Sequence, residues 1–369
     1  MSDARVADDR RESRRADGST EGRGRASEQL FAALDLGTNN CRLLVAAPSR
    51  EGFRVVDAFS RIVRLGEGLS QTGRLQPAAM ERALAALKIC ADRIRRRGVP
   101  KVRAIATQAC RSADNGEEFL ERVARETGLR LRIIPPQEEA RLSVAGCLNL
   151  LDRQTEAALV LDVGGGSTEL SWVDLRGQAR ADAMPPIRAW LSVPIGVVTL
   201  AERFPEQRPG ETDWFRAMVE AVKEPIMAFT HAEPLRAAFE AGRGHLVGTS
   251  GAITSLAGIH LDLARYDRSR VDGLWLSREQ CEATAQRLLA MDQTMRAAQP
   301  CIGRDRADLV LAGAAILQAV QELWPCQRVR VADRGLREGL LLSLMAERGK
   351  RRTRRRRRNR AGGRVEAAA

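Results

Sequence analysis

Ala157 to Trp172, AALVLDVGGGSTELSW, constrains the chain more than any other stretch: an apolar run meets an acid and three glycines, then turns back into a second apolar segment. Leu159, Val160, Leu161 and Val163 suit a buried strand, and Gly164, Gly165 and Gly166 permit backbone angles closed to residues with a Cβ. The expected unit is strand, turn, strand. With no side chains in the way, successive N–H groups of such a turn can converge on an anion, and Ser167 and Thr168 add hydroxyl donors. Asp162 before the turn and Glu169 after it set two carboxylates beside that anion. This suits phosphate poorly alone and well with a divalent cation. An ordinary glycine-rich hairpin fits the same residues. A second copy of the plan argues for more: Phe31 to Ala46, FAALDLGTNNCRLLVA, is again an apolar run, an acid at Asp35, a turn opening with Gly37 and Thr38, and an alternating strand. One unit has been duplicated.

Composition narrows the function classes. With 369 residues, 44% of them apolar, the chain can bury a sizeable core in about two domains. The seven cysteines form no CxxC pair and no secretory leader precedes them, which fits a reducing cytoplasm. His231, His245 and His260 show no zinc-ligand spacing with them. No apolar run approaches a membrane span. Most of the net charge of +13 sits from Ala346 onward, where eleven Arg or Lys face two acids. Arg351 to Arg360, RRTRRRRRNR, is a block that attracts polyanions, and it also fits a solvated tail with no specific partner.

Along the chain, residues 1–28 lack large apolar side chains and are expected to be disordered, as is the arginine-rich segment 347–369. Between them, strands alternating with helices predict an α/β protein with a mixed or parallel sheet. Phe53 to Val63 reads as a further strand pair, Ala78 to Arg97 as a helix with cations in its last turn, Glu138 to Leu151 as another helix. The boundary between the halves is expected near Arg153, dividing a first domain, 29–153, from a second, 154–346. The strand at His245 runs into Gly248-Thr-Ser-Gly251, one more turn opening a helix.

Beside the two hairpins, Arg111 follows a predicted strand on a loop where a guanidinium can grip phosphate oxygens. In a chain this rich in arginine, a plain surface role fits it too. Glu138 and Glu139 open a helix, where acids are favoured as dipole partners. Neighbours on a helix point about 100° apart, so only one of the two can face a cleft. Hydrolysis of a phosphoanhydride needs an oriented water, donors around the phosphoryl group and a cation, and this inventory supplies each.

Asp35-Leu-Gly-Thr-Asn39, Ala106-Thr-x-x-x-Arg111, Glu138-Glu-Ala-Arg-Leu142, Asp162-Val-Gly-Gly-Gly-Ser-Thr-Glu169, Gly248-Thr-Ser-Gly251 and Ala332-Asp-Arg-Gly-Leu-Arg-Glu-Gly339 together resemble the ordered motifs of the exopolyphosphatase/guanosine pentaphosphate phosphatase (Ppx/GppA) family over about residues 30–345. The resemblance implies duplicated ribonuclease H-like domains of the actin/Hsp70/sugar-kinase type with a cleft between them. It implies Glu139 as general base, Mg²⁺ held by Asp162 and Glu169 with Asp35 facing them, and phosphates held by Arg111 and the two turns, Gly37, Thr38 and Asn39 in one and Gly164 to Thr168 in the other. It also implies a homodimer. Two departures stand out. Asn40 replaces the family's usual hydroxyl residue, and the chain ends soon after the core, whereas longer members add a helical region.

The implied activity is release of terminal phosphate from inorganic polyphosphate. Guanosine pentaphosphate is the alternative substrate, and the arginine tail favours the polymer. A phosphotransferase of the same fold needs an adenosine pocket, for which Gly248 to Gly251 is the one candidate, and it leaves Glu138-Glu139 unexplained. A non-catalytic sensor or RNA binder is disfavoured by the intact acid set and by the lack of aromatics in the basic run.

Overall fold

The computed structural model describes residues 29–50, 52–177, 184–207 and 212–347; of the segments expected to be disordered, 1–28 and 348–369 lie outside the described residues, while Glu347, expected to open the tail, ends the last helix and pairs with Arg103. β1 (Phe31–Leu36), β2 (Asn40–Ser49), β3 (Gly52–Ile62), β4 (Lys101–Ala106) and β5 (Leu131–Ile133) form one sheet in the order β3-β2-β1-β4-β5. β6 (Ala157–Val163), β7 (Thr168–Asp174), β8 (Ile187–Val193), β9 (Gly244–Thr249), β10 (Trp275–Ser277) and β11 (Arg328–Ala332) form the other, in the order β10-β11-β9-β6-β7-β8. In both sheets the first three strands pair antiparallel, and the parallel strands follow on the far side of the first. Apart from the added edge strand β10, the two orders are the same. This is the ribonuclease H-like plan used twice, the duplication that the paired hairpins predict.

β1 and β6 are buried on both faces, which is why they read as continuous apolar runs rather than as alternation. In each, the acid near the C-terminal end is the one residue not fully buried. The expected strand pair at Phe53 to Val63 is instead one strand, β3. β2 runs on long enough to partner all of it, with a register shift between Val45 and Ala46. β10 and the helix Gln293–Ala297 are too short to show a period, and the sequence reading did not include them.

Two helices trade places. Helix Pro136–Cys147 precedes the second sheet in the chain, yet its Val144 and Cys147 pack with Ala158, Val160 and Val173 of that sheet. The last helix, 336–347, follows the second sheet, yet its Leu340, Leu341 and Leu344 pack with Phe31, Ala33 and Leu44 of the first. They cross with their backbones touching. A Cβ added at Gly339 would meet the Leu142 carbonyl oxygen, and one at Gly146 the Gly335 carbonyl oxygen. The outer faces of the sheets are covered separately, the first by helices Pro77–Arg96 and Gly116–Thr127, the second by a larger set that includes Asp213–Met227 and Val310–Leu323. Among the described residues no helix is long and apolar enough to cross a membrane.

His245 on β9 is fully buried. The Asp152 backbone N–H donates to its Nε2 (3.1 Å), so Nδ1 carries the proton and faces the Thr155 hydroxyl at 2.8 Å. Burial lowers its pKa to about 4. The unfolded chain therefore binds the extra proton first, and this residue's contribution to stability is lost as pH falls from about 6.5 toward 4.

Two outcomes are expected. Gly339→Ala lowers unfolding free energy by about 3 kcal/mol, the upper end for overpacking, in urea titration. In thermal unfolding, wild type loses stability relative to His245→Gln on going from pH 6.5 to 4, and a constant difference across that range refutes the assignment.

Candidate active site

The C-terminal ends of β1 and β6 point the two hairpin turns at each other. In the first turn the Gly37 amide closes on the Asn40 carbonyl at 2.8 Å, and the Thr38 and Asn39 carbonyls accept from Gly66 and Val63. In the second, the Gly164 amide closes on the Ser167 carbonyl at 2.9 Å, and the Gly164 and Gly165 carbonyls accept from Val197 and Val198. With the carbonyls tied down, the amides of Thr38, Asn39, Gly165, Gly166 and Ser167 have no protein acceptor among the described residues and remain for an anion.

The triple glycine answers to space rather than to backbone angle. None of Gly164, Gly165 and Gly166 has positive φ. A Cβ on Gly165 would lie 3.0 Å from Asn39 Cβ and from Thr38 Cβ, and one on Gly166 would lie 2.8 Å from Thr38 Oγ1. The two loops touch, and only glycine lets them.

Both loops line a cavity of about 570 Å³ that also takes in Asp35, Glu139, Asp162 and Glu169. Asp162 and Glu169 are direct cross-strand partners. Glu169 Oε1 accepts from Ser192 at 2.9 Å, and Asp162 Oδ2 accepts from Ser143. Glu139 is 7% exposed, on the first turn of its helix, while Glu138 turns outward to a two-point ion pair with Arg132. Arg111 donates to Glu139 Oε2 (3.2 Å), to the Ile134 carbonyl (2.6 Å) and to Gln108 (2.6 Å). It stands behind Glu139, outside the residues lining the cavity. Thr168 also stands outside, its hydroxyl donating to the Ile195 carbonyl at 2.7 Å.

Burial dominates the electrostatics. It pushes Asp35 up to about 6 against the pull of Arg42 and Arg337. Burial, then the Asp162 charge, pushes Glu169 up to about 7. Burial followed by the Glu169 charge holds Glu139 well above the carboxylate range, and burial raises Asp162 as well. Asp35 Oδ1, Asn39 Oδ1 and Asn40 Oδ1 are buried without a hydrogen-bond partner. Unpartnered oxygens and crowded carboxylates form an all-oxygen donor set that fits a hard divalent cation. Among the described residues no three His, Cys, Asp or Glu side chains make a ready metal shell, so water and substrate oxygens would complete one.

The cavity also has a cationic part, and the sequence reading passed it over. Arg42 and Arg306 line it and have no carboxylate partner among the described residues. Both reach Gly251, where a Cβ would lie 3.7 Å from Arg306 Cζ and 3.9 Å from Arg42 Nη2. Burial, with Arg42 next to it, holds the Arg306 guanidinium below its ordinary range. Gly251 opens helix Gly251–His260, whose cap Ser250 is held at φ +132°. Arg42 was within reach of sequence reasoning. It pairs directly with Asp35 across the β1–β2 hairpin and so shares its face. Arg337 and Glu338, an ion pair at 3.0 Å on the cavity wall, lay in the last motif without a role. Arg306 comes from a 3₁₀ turn with no periodic signal.

A cleft between two ribonuclease H-like sheets, with apposed phosphate-sized loops and a buried acid cluster, defines a phosphoryl-transfer protein of the actin-like class. The profile of the Ppx/GppA phosphatase family matches residues 44–348, and the chain belongs to that family. Exopolyphosphatase 2 of Mycobacterium tuberculosis is 31% identical over 334 residues, 85% of this chain and 98% of that protein. The crystal structure of the Aquifex aeolicus Ppx/GppA family member is 29% identical, covers 87% of this chain and 98% of its own, and superposes with a TM-score of 0.69. An exopolyphosphatase structure from Cytophaga hutchinsonii, 24% identical over 86% of this chain and 98% of its own with a TM-score of 0.75, shares the fold.

Gly165→Ala forces the loops apart by a few tenths of an ångström. Orthophosphate release is expected to fall at least about tenfold with folding intact, in line with the cost of small misplacements in an active site.

Proposed function

We propose that the chain is an Mg²⁺-dependent exopolyphosphatase that removes terminal phosphate from inorganic polyphosphate, working in the cleft between an α/β unit at 29–153 and one at 154–346. The observation that carries the reading is the make-up of the cavity wall: apposed loops and a carboxylate cluster, with Arg42 beside Asp35 and Arg306 next to Arg42, neither in an ion pair among the described residues. A substrate that presents anionic charge well beyond its reacting phosphate matches that layout. The names of the Mycobacterium and Cytophaga relatives agree with it.

In this reading Asp162 and Glu169, with Asp35 opposite, hold the cation. A bound divalent cation supplies neutralisation of charge on the phosphoryl oxygens. The amides of Thr38, Asn39, Gly165, Gly166 and Ser167 hold phosphate oxygens in place. Glu139 orients the attacking water and takes its proton. Its high affinity for protons comes from burial and the Glu169 charge, and Arg111 at 3.2 Å opposes that shift. The rest of the reading is a cytoplasmic homodimer whose arginine tail meets polyanions.

Guanosine pentaphosphate is the second reading. Tyr266, the single tyrosine, is the one aromatic ring lining the cavity and the place where a base could stack.

The deciding assay is phosphate release from long-chain polyphosphate and from guanosine pentaphosphate, with Mg²⁺ and with chelator. Wild type is expected to cleave the polymer only with Mg²⁺, and Glu139→Ala to lose roughly 10²- to 10⁴-fold in kcat while still binding. Cleavage of the nucleotide alone moves the assignment to the second reading, and consumption of ATP with an acceptor overturns both. A pH test is separate. Asp35 and Glu169 have folded pKa values of about 6 and about 7, above their ordinary 3.8 and 4.5. The folded, metal-free protein therefore holds more protons than the unfolded chain, and these groups lower its stability as pH rises through 4 to 7. Thermal unfolding with and without Mg²⁺ is expected to show the largest stabilisation above that window.

A further inference from the structure

Ser143 lies four residues after Glu139 on helix Pro136–Cys147, hence one turn further along the same face. Its side chain is 1% exposed, and its neighbours Val144 and Cys147 sit in an apolar cluster. A buried hydroxyl costs about 1–3 kcal/mol unless it is hydrogen-bonded. Serine on a helix commonly returns its proton to the carbonyl one turn back. Ser143 donates instead across the gap between helix and sheet, to Oδ2 of Asp162.

Glu169, the cross-strand partner of Asp162, is treated in the same way: Ser192 on β8 donates to its Oε1 at 2.9 Å. Each of the two paired carboxylates has one oxygen occupied by a serine hydroxyl from a neighbouring element. Both residues line the cavity, and the Ser167 hydroxyl also approaches Glu169. The sequence motifs contain Asp162 and Glu169 but neither serine in a marked role.

We propose that Ser143 is a positioning residue: by holding Asp162 Oδ2 it aims Oδ1 at a divalent cation and sets the helix bearing Glu139 in register with the β6–β7 carboxylate pair. The inference rests on the proposed cation site. It goes beyond it in giving one hydroxyl two tasks, fixing a ligand and fixing the distance between base and ligand, because both are attached to the same helical turn. A ligand oxygen held in advance loses less freedom when the cation arrives. With one lone pair of Oδ2 engaged by Ser143, one-oxygen coordination through Oδ1 is favoured over two-oxygen coordination, which leaves positions for phosphate and water.

The test measures Mn²⁺ binding directly, by the spin-resonance signal of free Mn²⁺ during titration in the presence of orthophosphate, on the full chain. Ser143→Ala is expected to weaken Mn²⁺ binding about tenfold, the scale found when a ligand's supporting partner is removed. Ser143→Thr, which keeps the hydroxyl, is expected to stay within about twofold of wild type. Ser143→Cys keeps the volume with a weak donor, and it should match the alanine variant. It serves in place of alanine if that variant does not fold. In polyphosphate hydrolysis the Mg²⁺ concentration for half-maximal rate should rise in step for Ser143→Ala, and kcat at saturating Mg²⁺ should fall as well, because the helix bearing Glu139 loses its tie to Asp162. Equal Mn²⁺ binding by wild type and Ser143→Ala overturns the proposal and leaves the proposed function standing. So does a threonine variant as weak as alanine. No Mn²⁺ binding by folded wild type removes the cation site itself, and this inference with it.

Discussion

The backbone contact between helices Pro136–Cys147 and 336–347 is the constraint on which the rest of the structure depends. Each helix leaves its own half and covers the inner face of the other sheet, so the halves are joined through buried apolar surface on both sides of the cleft floor. Glycine at 146 and 339 brings the axes close enough for this. The N-terminal turn of each helix then lies at the C-terminal ends of a sheet's strands. One turn delivers Glu139 and the other delivers Arg337 and Glu338, all to the same cavity. Separate the helices and the acid cluster loses Glu139 and much of its counter-charge together.

Desolvation decides the chemistry of the cluster. Taking four carboxylates out of water costs more than the nearby arginines return, and Asp35, Glu139, Asp162 and Glu169 are all held above their ordinary range. Glu338 is the contrast. It is as deeply buried, and burial is its largest influence, yet Arg337 and the Gly335 N–H outweigh that and keep it below the usual range. Burial alone does not set the protonation state; the strength of the partner decides whether burial is offset. Asp35 Oδ1 has no partner, and the contacts of Asp162 with Ser143, Glu169 with Ser192 and Glu139 with Arg111 do not offset burial, which is the arrangement a positive ligand would satisfy.

The two hairpins, the positions of Asp35, Asp162 and Glu169, and the outward turn of one of the two adjacent glutamates were legible because each is local: an apolar run, a turn and an acid within a few residues. Short elements and long-range pairings were not. Arg306 and β10 carry no period, and Ser143 reads as one more small residue on a helix. The role of the glycines was half legible. Their presence marked the turns, but the reason, close approach of a loop about 130 residues away in the chain, is absent from the local pattern.

Duplication, the α/β class, the paired hairpin loops and the family motifs were determined by the sequence alone, since strand periodicity, turn chemistry and ordered motifs are properties of neighbouring residues. The exchange of the two helices, the meeting of Arg42 with Arg306 on the cavity wall, the withdrawal of Arg111 behind Glu139 and the protonation bias of the acids were decided only by the tertiary structure. Charge and burial act through space. Which carboxylates crowd together, and which guanidinium reaches them, depends on distances that the order of residues does not contain.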